Sequence, residues 1–272
     1  MISSDLLLSP TLWLAIFSGL GITLLLTAIA ISFGLIFGTV LAIARTFGTP
    51  VTKALAGAYV FVFRGVPLLI LLYFLYFGLP MIGVVRHGIL WDPLFKSAFA
   101  MAAVGFTLNS SAYLCEVVRG GIKTVKKGEI EAAVAIGFSR ATLYRRVVLP
   151  IAFRNTIMTI GNEIVFTIKA TAIASIITVR DLLGRASEIG KLELDVFTPY
   201  VAAAIAYFVL IRLIDAVVGI LDRRYNMSRL SRPGTTSTVA PASALSGTGS
   251  SVPLQGDRAT RDEAPLLSHI TK

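Results

Sequence analysis

The sequence predicts an all-α integral membrane protein of five transmembrane helices. Three observations carry that prediction: long stretches without charge, a low share of charge overall, and basic loops that alternate along the chain. No charged residue occurs in residues 6–44, 65–85 or 97–115. A helix needs about 20 apolar residues to cross the hydrocarbon core, and each stretch is long enough for one. Backbone N–H and C=O groups in hydrocarbon must pair within their own element, so runs this apolar fold as helices. Of the 272 residues, 55% are hydrophobic and 15% charged, whereas about a quarter of a water-soluble domain is charged. The mean hydropathy of +0.79 agrees with a lipid-facing surface.

Taken in order, the first span lies within residues 12–44 and ends at Arg45. The second covers residues 60–79 and the third 95–118. The fourth lies within 156–179 and the fifth within 197–221, each interrupted by two charges. The loops orient them, because Lys and Arg collect on the cytoplasmic side. Residues 45–64 hold Arg45, Lys53 and Arg64 and no acid. Residues 119–154 hold eight bases against Glu129 and Glu131, and Arg223, Arg224, Arg229 and Arg232 follow the fifth span. The alternate segments are acidic or neutral: Asp5 alone at the N-terminus, and Asp181, Glu188, Glu193 and Asp195 against three bases in 180–195. Five spans with a periplasmic N-terminus and a cytoplasmic C-terminus satisfy that alternation. The net charge of +10 is therefore read as loop bias and not as a nucleic-acid surface.

Several chemistries are excluded. Cys115 is the only cysteine, so neither an internal disulfide nor a cysteine metal cluster is expected. His87 and His269 are too few and too far apart for a metal site. No G-x-x-x-x-G-K-[ST] phosphate loop occurs, so the chain is not itself an ATPase and no cofactor is expected on it. The spans carry no convergent catalytic set, which argues against an intramembrane enzyme. No Lys or Arg precedes the first apolar run, so no cleavable signal peptide is expected. Residues 1–227 read as the transmembrane domain. Residues 228–272 turn to Ser, Thr, Pro, Gly and Ala, a composition that predicts a disordered cytoplasmic tail.

The basic loop 119–154 contains Glu131-Ala132-Ala133-Val134-Ala135-Ile136-Gly137, nine further residues, and then Val147-Val148-Leu149-Pro150. Residues 129–136 make a good short helix, Ala-rich with acids in the first turn, and Gly137 suits its stop. A short helix with small residues, fixed between two spans, is shaped to dock into a partner. The pattern resembles the EAA loop of permease subunits of bacterial ABC importers, with Val147 standing where that loop usually has Ile. The resemblance continues in Gly19-Leu20-Gly21-Ile22-Thr23-Leu24, in Phe63-Arg64-Gly65-Val66-Pro67-Leu68-Leu69, and in Ala112-Tyr113 to Glu116 with Arg119-Gly120-Gly121-Ile122. These look like the polar amino acid branch, and the resemblance covers about residues 12–225. It implies a type I ABC importer permease fold working by alternating access in the bacterial inner membrane. It also implies that Glu131, Ala132, Ala133 and Gly137 contact ATPase subunits, which hold the ATP and Mg. A periplasmic solute-binding protein and a second permease subunit, identical or paralogous, are the other partners it implies. An ion channel would leave that loop without a purpose, and no ring-forming filter sequence is evident.

Ionisable groups inside a span cost about 2.5–3.5 kcal/mol each and mark functional sites. Four stand out: Glu163 and Lys169 in the fourth span, Arg212 and Asp215 in the fifth. Glu163 falls at about mid-membrane by residue count, where transporters bind substrate. Six residues separate it from Lys169, about 240° of helix, so the two do not pair on one face. Arg212 and Asp215, three apart, read as a local structural pair. Asn162-Glu163 followed by Lys169-Ala170-Thr171-Ala172 resembles the branch that moves basic amino acids and opines. Glu163 is expected to hold a cationic side chain, with Asn162, Lys169 and Thr171 near the substrate's polar head. Neutral or acidic polar amino acids are the alternative substrates.

Overall fold

A computed structural model of the chain describes residues 4–86, 88, 96–195 and 197–230. His87, His269 and nearly all of the predicted tail lie outside the described residues, whose regular structure is entirely helical. Helix α1 (Pro10–Phe47) is 38 residues long, about 57 Å and nearly twice the hydrocarbon thickness. Pro10 suits its first turn and Arg45 its last, where a cation complements the helix dipole. Small residues on its buried face, including Ala30, Gly34 and Gly38, let the next long helix approach closely. A methyl group at Gly38 would stand 2.8 Å from the carbonyl oxygen of Ser111.

Helix α2 (Pro50–Gly65) starts at Thr49, whose hydroxyl accepts a hydrogen bond from the Thr52 N–H at 3.3 Å. It ends at Val66, which is extended at φ −83° and ψ 127° as the residue before Pro67 must be. The chain then turns by 100° into α3 (Leu68–Tyr73), prolonged by a π turn at Phe74–Gly78 and a 3-10 turn at Leu79–Met81. The second span is thus not the straight helix expected over 60–79. Arg64, read from the sequence as a loop residue, sits in the last turn of α2 at this break, with its side chain exposed.

Helix α4 (Ala98–Lys123) is the centre of the bundle and packs along α1 and the helix that follows the basic loop. Its capping residue, Ser97, accepts from the Ala100 N–H at 3.2 Å. Within the basic loop lie α5 (Lys127–Ala135) and α6 (Arg140–Leu143). A π turn at Tyr144–Val148 carries α6 into α7 (Leu149–Ala170), which tightens to 3-10 geometry at Thr171–Ile177. Helix α8 (Leu182–Leu192) lies across the far end of α1, and α9 (Phe197–Leu230) closes the described chain. By length and apolarity α1, α4, the Arg140–Ile177 segment and α9 are four candidate spans, with the bent α2–α3 pair as a fifth.

Buried clusters run along the bundle. Ala42, Cys115, Ile122, Ala133 and Val148 pack at the end that carries α5. Leu26, Leu72, Phe106 and Ile177 fill the middle, and Leu12, Ile16, Leu182 and Ala202 the far end. Arg212 and Asp215 share the exposed side of α9 without forming the expected ion pair. Spacing made that pair possible, but both side chains are exposed on the outer side of the helix.

Candidate functional site

Helices α2 and α7 both begin at the α5 end of the bundle. Arg64 stands fourteen residues into α2 and Glu163 fourteen into α7, about 21 Å up from that end in each case. Helix α4 supplies the same level. Asn109 donates through Nδ2 to the Phe63 carbonyl at 3.0 Å, which fixes the end of α2 just before Arg64. One turn below, the Tyr59 hydroxyl lies 3.0 Å from the Leu108 carbonyl and 2.7 Å from Ser111 Oγ. The break at Val66–Pro67 therefore sits on a hydrogen-bonded platform and does not hang free.

Glu163 belongs to this layer. One of its carboxylate oxygens is buried and accepts no hydrogen bond among the described residues. The groups that act on it are the Arg64 guanidinium and the Ser110 hydroxyl. Ser110 itself lies 3.3 Å from Thr167 Oγ1, one turn above Glu163 on α7. The face of α7 that carries Glu163 and Thr167 thus turns towards α4.

The other three predicted substrate residues stand elsewhere. Asn162 and Lys169 are both exposed; being seven apart, they share one stripe of α7 within about 20°. Thr171 is fully buried, and its hydroxyl donates to the Ile168 carbonyl at 2.7 Å. The structure does not gather the four around one point. It brings Glu163 together with Arg64 and Ser110, which the sequence reading missed. Arg64 lies inside the apolar window 60–79, and that position was the available signal.

Beside this layer, towards the α5 end, lies a charged pocket of about 410 Å³, with Arg45, Gly57, Phe61, Arg64, Tyr113 and Glu116 among its walls. The Arg64 guanidinium stacks over the Tyr113 ring, 5.0 Å from its centroid. Glu116 accepts from Arg45 across the bundle and from Arg119 Nε at 2.9 Å on its own helix.

The predicted ATPase contact is a separate surface. The Glu129 carboxylate accepts from the Lys126 N–H at 3.2 Å and closes the first turn of α5. Gly137 follows at φ +81°, a conformation that favours glycine. Glu131, Ala132 and Gly137 are exposed, whereas Ala133 is buried among Leu143, Val148 and Ala152. Val134 and Ile136 take its place on the open side, 55% and 71% exposed.

Residues 34–227 match the family described as binding-protein-dependent transport system inner membrane component. The glutamine transport system permease protein GlnP of Rickettsia felis is 36% identical over 211 residues, 78% of this chain and 93% of that protein. The octopine transport system permease protein OccM of Rhizobium radiobacter is 36% identical over 177 residues, 65% of this chain and 72% of that one. Among solved structures, a crystal structure of an amino acid ABC transporter with histidines is 32% identical. It superposes with a TM-score of 0.67 over 77% of this chain and 94% of that one. With a multi-span helical bundle, a short helix in its basic loop and a family match over most of its length, the chain belongs to the inner membrane components of binding-protein-dependent transport systems.

Proposed function

We propose that this chain is the membrane-spanning subunit of an ATP-driven importer for amino acids or opines with a cationic side chain, in a bacterial inner membrane. The observation that carries the substrate class is Glu163. An ionised carboxylate oxygen shut away without a donor costs several kcal/mol, and a guanidinium or ammonium group supplies the missing donors through charge-assisted hydrogen bonds. The N-terminus is periplasmic and the C-terminus cytoplasmic in this reading. A periplasmic binding protein delivers substrate, and a second permease subunit completes the pore. ATP and Mg stay on partner ATPase subunits, which grip Glu131, Ala132 and Gly137 with Val134 and Ile136 of the α5 surface. ATPase closure pushes on α5, and the packed α6–α7 segment carries that push to the layer of Glu163.

The test is uptake by vesicles holding the permease, its ATPase and its binding protein. Glu163→Gln is expected to lower arginine uptake about tenfold or more while the complex still assembles. Unchanged arginine uptake overturns the substrate class, and uptake without ATP overturns the importer. Similarity to a glutamine permease favours a second reading, transport of neutral amino acids, in which Glu163→Gln leaves glutamine uptake intact and arginine never competes.

A further inference from the structure

The pocket between α2 and α4 holds more positive charge than its own acid offsets. Arg45 and Arg119 both pair with Glu116, so one carboxylate serves two guanidiniums. Arg64 has no carboxylate within ion-pair distance among the described residues. Its guanidinium stacks on the Tyr113 ring, which covers one face and leaves the edge N–H donors to other partners. Those donors form a planar fork matched to a carboxylate. The approach is clear as well. Arg64 is exposed, and a methyl group added at Gly57 or Gly65 would meet nothing within 4 Å.

A purely structural role does not account for this. A cation in the last turn of α2 complements the helix dipole, but Lys would do so equally, and the dipole needs no aromatic shelf. Holding a charge at this depth is costly, and the Tyr113 contact does not satisfy the guanidinium edge.

We infer that this pocket binds the α-carboxylate of the translocated amino acid and that Arg64 is the residue that takes it. The inference rests on the amino acid importer reading. It adds a specificity contact that is blind to the side chain. Arg64 and Glu163 lie at one depth on two helices that flank α4, and they carry opposite signs. A basic amino acid carries the complementary pair, its carboxylate for Arg64 and its side-chain cation for Glu163. Arg45, Arg119 and Glu116 then act as a fixed positive floor beneath the carboxylate.

The experiment measures equilibrium binding of L-arginine, L-argininamide and L-glutamine to the purified permease–ATPase complex without binding protein, so that the binding protein's own selectivity does not enter. The wild-type complex should bind arginine about ten- to a hundredfold more tightly than the amide. Arg64→Gln should remove that ratio and weaken glutamine equally, and Arg64→Lys should restore part of it. Glu163→Gln should keep the acid-to-amide ratio and lose the preference for arginine over glutamine. Equal binding of acid and amide by the wild type overturns the inference, as does an unchanged ratio in Arg64→Gln or no arginine binding at millimolar concentration. If Arg64→Gln does not assemble, the ratio in Arg64→Lys decides, and a wild-type value there overturns it. A Glu163→Gln complex that still prefers arginine overturns the substrate class alone and leaves the carboxylate site standing.

Discussion

At Asp181 one carboxylate caps α8 and ties it to α9. It is fully buried and accepts hydrogen bonds from the N–H of Gly184 at 2.9 Å, the N–H of Leu183 at 3.4 Å and the Tyr207 hydroxyl at 3.3 Å. The next N–H, of Leu182, donates to Thr23 Oγ1 of α1 at 3.1 Å. Burial pushes the carboxyl up from the ordinary 3.8 to about 6, and the donated hydrogen bonds pull it back only in part. A carboxyl raised in the folded state favours its protonated form. Its stabilising effect is complete below about pH 4 and is lost as the pH rises through about 6. The thermal midpoint of the detergent-solubilised protein should therefore rise as the pH falls from 7 to 5, by a contribution of roughly 2 to 3 kcal/mol at full protonation. Asp181→Asn keeps a capping oxygen and should flatten that dependence. A midpoint that falls with acidification in the wild type, or a slope that survives in Asp181→Asn, would show that another group controls it.

At the scale of elements, what the sequence disclosed depended on whether a residue announces its own surroundings. Apolar runs and Glu163 do so, because hydrocarbon dictates helices and penalises charge without reference to any neighbour. Gly137 does so too, since the stop of α5 is local. Arg64 does not. Counted with Arg45 and Lys53 it looked like loop charge, and only the packing of α2 on α4 lifts it to the level of Glu163. Thr171 is the mirror case: its hydroxyl donates to a backbone carbonyl three residues back, a pairing that residue type alone does not reveal. Ala133 faces inward because the four-residue helix after it folds back over α5. That fold-back leaves Ala132 as the small residue on the open side of α5. Ala132→Trp should fold normally, because the site is exposed, yet it should abolish co-purification with the ATPase subunit; Ala133→Trp should instead lower the yield of folded permease. Retained ATPase binding by Ala132→Trp would remove α5 from the contact.

At the scale of the molecule, the exposed sides of α2 and α9 differ in kind. Lys53 and Arg64 are eleven apart on α2 and so lie within about 20° of one another, with Gly57 between them on the stripe that borders the charged pocket. A charge at the depth of Arg64 does not tolerate lipid. The stripe must therefore face water, which the proposed pathway between two permease subunits would supply. Helix α9 ahead of Arg212 exposes Ile205, Phe208 and Val209 and carries no charge, as a lipid-facing helix does. Cys115 is the only cysteine and is buried, so added cysteines report without background. In the assembled transporter, a charged thiol reagent should label Gly57→Cys, whose new side chain has open space, and should leave Phe208→Cys unlabelled. Arginine should slow the first reaction, because its carboxylate would sit beside the new thiol. Labelling of Phe208→Cys at the same rate, or complete protection of Gly57→Cys in the empty transporter, would put α2 against lipid and leave Lys53 and Arg64 without a solvent. The opposite charges of Arg64 and Glu163 make sense only if that water-filled side exists.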